Sequence, residues 1–348
     1  MDGRSQGCPN SPVMFVFVAL MGIWTRSLRS FRAFNADARH WQILALSGLF
    51  LISYLTSDFG AKPKALALAL FGALAIQTLG TVLVNLQATS RRRGEREGDH
   101  GNHWMRAGFR AGMSGLWTGF QWKSAMITSL SLSILLRANS PWFWLAAGAI
   151  AIGAKFLIRF NGKHIFNPAA IGIVVLMLVF GRDVWVSPGQ WGQMPLLAGY
   201  AVAVAALVLS SAKRLDIALA FLGTFAAILF GRAMWLGDPM AIPLHQLSTG
   251  ALLIFAFFMI TDPRSTPDSR LGRILFAMCV ASLAAWFMIG PNVRAAPIMA
   301  LVVLAILTPI LDRVFPSNRF QWNSKEGRRN ETETPVRGLH TGPHIARA

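Results

Sequence analysis

Long apolar segments separated by short, basic connections are the feature that most constrains this chain. Of its 348 residues, 54% are hydrophobic and only 14% are charged. A soluble globular chain of this size needs more polar surface than that, whereas a membrane-spanning helix needs roughly 20 apolar residues to cross about 30 Å of hydrocarbon. The composition therefore predicts an all-α integral membrane protein.

Ten segments are apolar and long enough to be membrane-spanning helices. They are 41–57, 65–86, 118–136, 142–160, 167–185, 194–212, 215–234, 246–261, 271–290 and 295–315. The segment 118–136 is the weakest because Ser, Thr and Gly dilute it, although small and hydroxyl residues also favour close helix packing in lipid.

These spans divide the chain into three regions. An N-terminal cytoplasmic segment, 1–40, precedes a ten-helix membrane domain, 41–315, and a tail, 316–348, has the composition of a disordered cytoplasmic segment. The membrane domain has a first half, 41–186, which contains a basic cytoplasmic loop at 87–117, and a second half, 194–315.

The positions of the positive charges predict the orientation of the spans. If the N-terminus is cytoplasmic, 27 of the 33 Lys and Arg residues lie on the cytoplasmic side and 6 lie outside. Cytoplasmic connections of membrane proteins carry such an excess. We therefore predict a multi-pass protein of the bacterial inner membrane with both termini in the cytoplasm. The same placement argues against nucleic acid as the partner of this net charge of +18.

A weak internal repeat relates the two halves. Lys123–Ala125 and Leu247–Thr249 each open a span, about 125 positions apart, and Asn167 and Asn292 precede two other spans at the same separation. Because each half has five spans, the second half must insert upside down relative to the first. The pattern predicts two inverted five-helix repeats, an arrangement that places binding sites between the halves.

Cysteine and histidine positions exclude several redox centres. Cys8 and Cys279 are the only cysteines, and an iron–sulfur cluster needs about four thiolates. His40, His164 and His245 lie at the edges of spans, so the chain has no mid-membrane histidine pair for a haem. We expect neither an iron–sulfur cluster nor a haem, and no metal site.

The stretch GKHIFNPAAIG, residues 162–172, opens the fifth span. Asn167 followed by Pro168 is typical of a helix start, with Asn as the cap and Pro at the first helical position. Lys163 and His164 have two interpretations. They anchor the span at the cytoplasmic surface, or they bind an anion such as a phosphate at the helix N-terminus.

The eighth span ends with Thr261-Asp262-Pro263. Pro263 disfavours helix at the residue before it. An acidic group near hydrocarbon is costly and usually has a partner or a role, and Arg264 and Lys123 are candidate partners. A turn that simply ends the helix is the alternative interpretation of Asp262.

Four stretches in the same order resemble one family of membrane proteins. They are NADARHWQILALS at 35–47, WKSAMITSLSLSILL at 122–136, KHIFNPAAIGIVVLML at 163–178 and LSTGALLIFAFFMITDPRSTP at 247–267. The family includes the RnfD component of the Rnf electron transport complex and the NqrB component of the sodium-pumping NADH:quinone oxidoreductase, and the resemblance extends from about residue 35 to 315. It implies flavin-dependent electron transfer across the membrane, coupled to ion translocation, together with other membrane and soluble redox subunits.

The resemblance also implies where this chain departs from its family. Related proteins carry flavin mononucleotide esterified to a Thr in the loop between spans 5 and 6, but here that loop, VSPGQWGQ at 186–193, has no Thr. We therefore expect no covalent flavin. The resemblance implies a non-covalent flavin, riboflavin or flavin mononucleotide, with Lys163, His164, Asn167, Thr261 and Asp262 as candidate contacts.

Two other functions fit a ten-span chain. Inverted halves also suit a transporter or channel for a small solute. A non-catalytic membrane scaffold, for example one encoded in a biosynthetic gene cluster, is the third hypothesis. Whether the chain has an enzymatic activity of its own is left open by the sequence.

Overall fold

The computed structural model describes residues 37–56, 61–94, 120–187, 214–293 and 295–319. Nearly all of these belong to one compact unit, Ala38–Asn318. A second unit, formed by Met1–Asp37 and Arg319–Ala348, lies almost wholly outside the described residues. The predicted span 194–212 and most of the predicted loop 87–117 also lie outside them.

Eleven α-helices occur in the described part of the chain. They are α1 Ala38–Thr56, α2 Pro63–Gly94, α3 Trp122–Leu135, α4 Trp142–Leu157, α5 Pro168–Val179, α6 Leu215–Leu236, α7 Ala241–Leu247, α8 Gly250–Ile254, α9 Arg270–Ile289, α10 Ala296–Leu304 and α11 Leu307–Val314. Helix α8 continues directly into a π-helical turn, Phe255–Met259.

Four short strands form two antiparallel pairs in the described part. The strands are β1 Leu136–Ala138, β2 Arg159–Phe160, β3 Lys163–His164 and β4 Val184–Val186. Strand β1 pairs with β4, and β2 pairs with β3. The prediction of an all-α chain is therefore corrected in this detail.

Helix length and composition confirm a mostly helical membrane protein. Three helical segments in the described residues are long and apolar enough to cross a bilayer: 63–86 of α2, α6 and α9. Two bent pairs qualify if each is counted as one span: α7 with α8 and its π-helical turn, bent by 50°, and α10 with α11, bent by 55°. The ten spans and the inverted repeat remain predictions.

Two predicted spans are shorter than the sequence pattern suggested. Helix α5 has 12 residues, which extend only about 18 Å, and α3 has 14. A strand comes after each of these helices. Helix α5 ends six residues before the predicted end of its span at 185, and α3 ends one residue before the predicted end at 136. The buried Leu136, Val184 and Val186 lie in these strands. The β-branched valines fit well there, and the ladder pairs the backbone groups.

Other boundaries also differ from the prediction. Helix α2 continues beyond the predicted end of its span at residue 86 and reaches Gly94. The predicted spans 246–261 and 295–315 are each broken by a bend.

Helices α2 and α4 form the most extensive helix–helix contact among the described elements. Gly72 of α2 lies against the carbonyl oxygen of Leu145, and Gly148 of α4 lies against the carbonyl oxygen of Ala69. A methyl group at either glycine would collide with the backbone of the neighbouring helix. Small residues therefore set the separation of these two helices, as is common in membrane bundles.

The close contact gives a prediction for Gly148→Ala. The added methyl group overpacks the α2–α4 interface, so we expect a loss of roughly 1–3 kcal/mol in the free energy of unfolding. The matched control is Gly231→Ala in α6, because a methyl group there meets nothing within 4 Å. Thermal unfolding of the detergent-solubilised proteins, followed by tryptophan fluorescence, measures both. Equal melting temperatures for the two variants would contradict the close contact.

Candidate functional site

The predicted site residues lie where a hairpin meets the loop that follows the π-helical turn. Strands β2 and β3 are joined by Asn161 and Gly162, whose φ angles are 49° and 76°. An Asn-Gly pair suits such a turn because both residues tolerate a positive φ. The hairpin places Lys163 and His164 side by side, and their side chains point to opposite faces of the strand.

Lys163 joins three parts of the chain. Its Nζ donates to Asp312 Oδ2 of α11 at 2.9 Å and to the carbonyl oxygen of Thr266 at 2.6 Å. Asp268 Oδ2 lies 3.2 Å away, and the Asp268 backbone N–H donates to Asp312 Oδ1 at 2.8 Å. We call Lys163, Asp268 and Asp312 the lysine junction. All three side chains are largely shielded from solvent. Their contacts connect the β2–β3 hairpin to α11 and to the loop that follows the π-helical turn.

His164 and Asp262, two of the predicted site residues, face each other. The distance from His164 Nε2 to Asp262 Oδ2 is 3.5 Å, and this ring nitrogen is buried without a well-formed hydrogen bond. Asp262 also accepts hydrogen bonds from the Arg264 backbone N–H and the Ser265 hydroxyl, each at 3.1 Å. Burial raises the pKa of Asp262, but His164 and these donors outweigh it and hold the pKa below its usual value of 3.8.

Asn167 connects the start of α5 to the end of the π-helical turn. Its Oδ1 accepts from the Ala170 backbone N–H at 3.1 Å, which confirms the predicted cap, with Pro168 as the first helical residue. Its Nδ2 donates to the carbonyl oxygen of Met259 at 3.1 Å. Thr261 Oγ1 donates back to the carbonyl oxygen of Phe257 at 2.7 Å. The polar groups of both side chains are thus used within the protein.

Lys155 is a buried cation that the sequence analysis did not single out. It lies near the C-terminal end of α4, is 7% exposed, and donates from Nζ to Ser124 Oγ at 2.8 Å. A charged residue inside an apolar span is costly, so its position in the sequence GAKFL was a usable signal.

Two arginines attach α6 and α9 to the same loop. Arg214 Nη1 donates to the carbonyl oxygen of Pro267 at 3.0 Å, and burial lowers the pKa of Arg214 to about 10. Arg273 binds both carboxylate oxygens of Asp216 and donates to the carbonyl oxygen of Asp268 at 2.7 Å. Together with Lys163 of the first half, these two residues of the second half hold the loop from both halves of the chain.

A pocket of about 210 Å³ opens beside His164. Its lining residues are Gln77, Thr81, Val84, Asn85, Gln121, Lys155, Phe156, Arg159, Gly162, His164 and Arg264. We call it the cationic pocket, because Lys155, Arg159 and Arg264 are basic and no lining residue is acidic. Its chemistry suits an anion. In the described part of the chain, no group of three or more His, Cys, Asp or Glu residues could hold a metal ion.

The fold and the site together define a mostly helical membrane protein with buried charges gathered at one end of its helices. Residues 187–321 match the NQR2, RnfD, RnfE family. The match covers less than half of this chain. The matched residues include Asp262 and Asp312, and the GKHIFNPAAIG stretch precedes them.

Several curated relatives are similar over part of the chain, and each is named as the D-type component of an ion-translocating oxidoreductase complex. The protein of Alcanivorax borkumensis is 30% identical over 220 residues, with 46% of this chain and 64% of that protein covered. The proteins of Ectopseudomonas mendocina and Stutzerimonas stutzeri are 27% and 26% identical, with 72% and 77% of their lengths covered. The first of these alignments thus spans less than two thirds of its relative.

The lysine junction predicts that Lys163→Ala is strongly destabilising. Removing the ammonium leaves two shielded carboxylates close together, which costs roughly 3–5 kcal/mol. Adding Asp312→Asn to that variant should restore part of the lost stability, because one of the two negative charges is removed. Chemical unfolding in detergent measures both effects. The control is Lys64→Ala, an exposed lysine at the start of α2, and a loss no larger than in that control would contradict the junction.

The lowered pKa of Asp262 predicts an acid-dependent part of the stability. A carboxyl whose pKa is lower in the folded than in the unfolded protein stabilises the fold above the unfolded value of about 3.9. This contribution is lost as the pH falls through the folded pKa. Melting temperatures of the parent protein and Asp262→Asn should therefore converge as the pH is lowered below about 4. A constant difference from pH 7 to pH 3 would contradict the assignment.

Proposed function

We propose that this chain is a membrane component of an Rnf-like electron transport system, in which electrons cross the membrane with the help of a flavin and ion translocation is coupled to their transfer. The observation that carries the proposal is the family match over residues 187–321, together with relatives named as components of an ion-translocating oxidoreductase complex. The other components of such a complex, both membrane and soluble, are the proposed partners.

Ten spans in two inverted halves are part of the proposal. The helix contacts support it, because corresponding helices pair in the same way in each half. Helices α2 and α4, the predicted spans 2 and 4, form the most extensive contact, and α6 and α9, the predicted spans 7 and 9, form the next. Contacts of α4 with α5 and of α9 with α10 follow the same correspondence. Helices α5 and α10, the fifth span of each half, pack on each other.

The described charges also support the proposed orientation. Lys155, Lys163 and Arg214 gather at the ends of helices around the loop 260–269. Arg137 and Arg232 lie at the other ends of α3 and α6, as the alternation of the spans requires. We propose that the end with the lysine junction faces the bacterial cytoplasm and that both termini are on that side.

A non-covalent flavin is the proposed cofactor, and the described residues alone do not enclose it. Lys163, Asn167 and Thr261 use their polar groups within the protein, and among the five candidates only His164 lines the cationic pocket. The cationic pocket beside it, at about 210 Å³, is smaller than the roughly 300 Å³ from which sites for drug-sized ligands begin. We derive no electron-transfer step from these residues.

The proposed roles of the five candidates differ accordingly. His164 is the residue that would contact a ligand, while Lys163, Asn167, Thr261 and Asp262 position the hairpin and the loop around it. A flavin, when bound, supplies the one- and two-electron chemistry that amino acid side chains lack. The resemblance and the absence of Thr from VSPGQWGQ support non-covalent attachment; residues 188–193 of that loop lie outside the described part.

Acid precipitation of the purified protein tests the cofactor. We expect flavin absorbance in the supernatant of the detergent-purified chain after precipitation, because a non-covalent flavin is released when the protein unfolds. Flavin in the pellet would contradict non-covalent attachment. Protein that carries no flavin, even when purified with its complex, would contradict flavin-dependent electron transfer through this chain.

Co-purification tests the partners. A tagged chain isolated in mild detergent from the membranes of its own host should retain other redox proteins, identified by mass spectrometry. An untagged strain processed in parallel controls for non-specific retention. Recovery of the chain alone, together with solute flux into liposomes containing it, would instead favour a transporter.

A further inference from the structure

The cationic pocket is built from side chains that converge from several elements. Gln77, Thr81 and Val84 follow one face of α2, at positions i, i+4 and i+7. Lys155 lies in the last turn of α4, and the β2–β3 hairpin contributes Arg159 and His164. The lysine junction does not include any of these residues, so the pocket needs a separate explanation.

The side-chain oxygen of Gln77, a lining residue of the pocket, is buried and lacks a hydrogen-bond partner. Gln77 is 3% exposed, and its Oε1 accepts no hydrogen bond, although its Nε2 donates to Thr81 Oγ1 at 3.4 Å. His164 is 8% exposed, and its Nε2 faces Asp262 Oδ2 at 3.5 Å. Buried polar atoms are nearly always satisfied in folded proteins. The Gln77 oxygen therefore points to a bound group that supplies a hydrogen-bond donor.

The charges of the lining favour an anion as that group. Lys155, Arg159 and Arg264 are lining residues, and Asp262, behind His164, is the nearest carboxylate that the contacts identify. Arg159 is held in place, because its Nε donates to the carbonyl oxygen of Lys155 and its guanidinium lies 5.2 Å from the centre of the Phe156 ring. A fixed guanidinium with free N–H groups is well suited to a phosphate.

Besides a negative charge, the bound group needs a hydrogen-bond donor such as a hydroxyl group. A phosphate accepts hydrogen bonds from the cations, but it does not satisfy the Gln77 oxygen, which needs a donor. A polyol attached to the phosphate supplies that donor.

We propose that the cationic pocket binds a phosphorylated polyol, and that its source is the glycerol-phosphate headgroup of an anionic phospholipid. The rim favours the lipid: Val84 is 45% exposed, and the apolar ring of Phe156 also lines the pocket. Basic pockets between membrane helices commonly bind anionic head groups. This site does not depend on the proposed redox function.

Lipid binding to the purified protein tests the proposal. Native mass spectrometry, with delipidated protein and added phosphatidylglycerol, should give tighter binding than with phosphatidylcholine. Arg159→Gln should weaken binding of phosphatidylglycerol about fivefold, since each basic residue near an anionic head group contributes on that scale. Arg159→Lys keeps the charge and should retain most of the binding. Arg232→Gln, at an exposed ion pair with Asp238, is the matched control and should leave it unchanged.

Arg159 is exposed, so its variants are expected to fold; an unchanged melting temperature and size-exclusion profile would verify this. Equal binding of the two lipids would overturn the proposal, and so would equal binding by Arg159→Gln and Arg232→Gln. Glycerol 3-phosphate and flavin mononucleotide serve as soluble competitors. Displacement of phosphatidylglycerol by either one would overturn the lipid as the source and assign the pocket to a soluble ligand of the same chemistry.

Discussion

The structure depends on pairing backbone polar groups where helices end inside an apolar surrounding. Helices α3 and α5 are too short to cross a bilayer, and in hydrocarbon an unpaired N–H or C=O costs several kcal/mol. At one end of these helices, β1 and β4 pair with each other. At the other end, the Asn167 side chain satisfies both a backbone N–H at the start of α5 and the carbonyl oxygen of Met259.

The hydrogen bond from Asn167 to the carbonyl oxygen of Met259 explains the position of the candidate site. Asn167 ties the first half of the chain to the π-helical turn, and the loop that follows this turn carries Asp262 and Asp268. The lysine junction, Arg214 and Arg273 then fix the loop from the surrounding helices. A rigid polar region of this kind can hold His164 and Asp262 in a defined arrangement beside the cationic pocket, which a flexible loop could not.

Local backbone chemistry was readable from the sequence, and long-range pairing was not. Asn167-Pro168 specifies a helix start by itself, and the predicted cap is present. The partner of Lys163 in α11 is 149 positions away, and no local pattern identifies it. The sequence suggests Arg264 and Lys123 as partners of Asp262. The structure adds His164, which in the sequence is an anchor, an anion ligand or a candidate flavin contact. Asn161-Gly162 was a hairpin signal, and Lys155 a buried charge, that the sequence analysis passed over.

The central proposal is that this membrane protein takes part in moving electrons across the bilayer. The most direct test is a proteoliposome assay, with the chain and its co-purified partners in the membrane, an impermeant reductant outside and an impermeant acceptor trapped inside. The account predicts acceptor reduction that is faster than in protein-free liposomes and that is lost when flavin is removed. Reduction at the protein-free rate, in vesicles shown to contain the intact flavin-bearing complex, would contradict it.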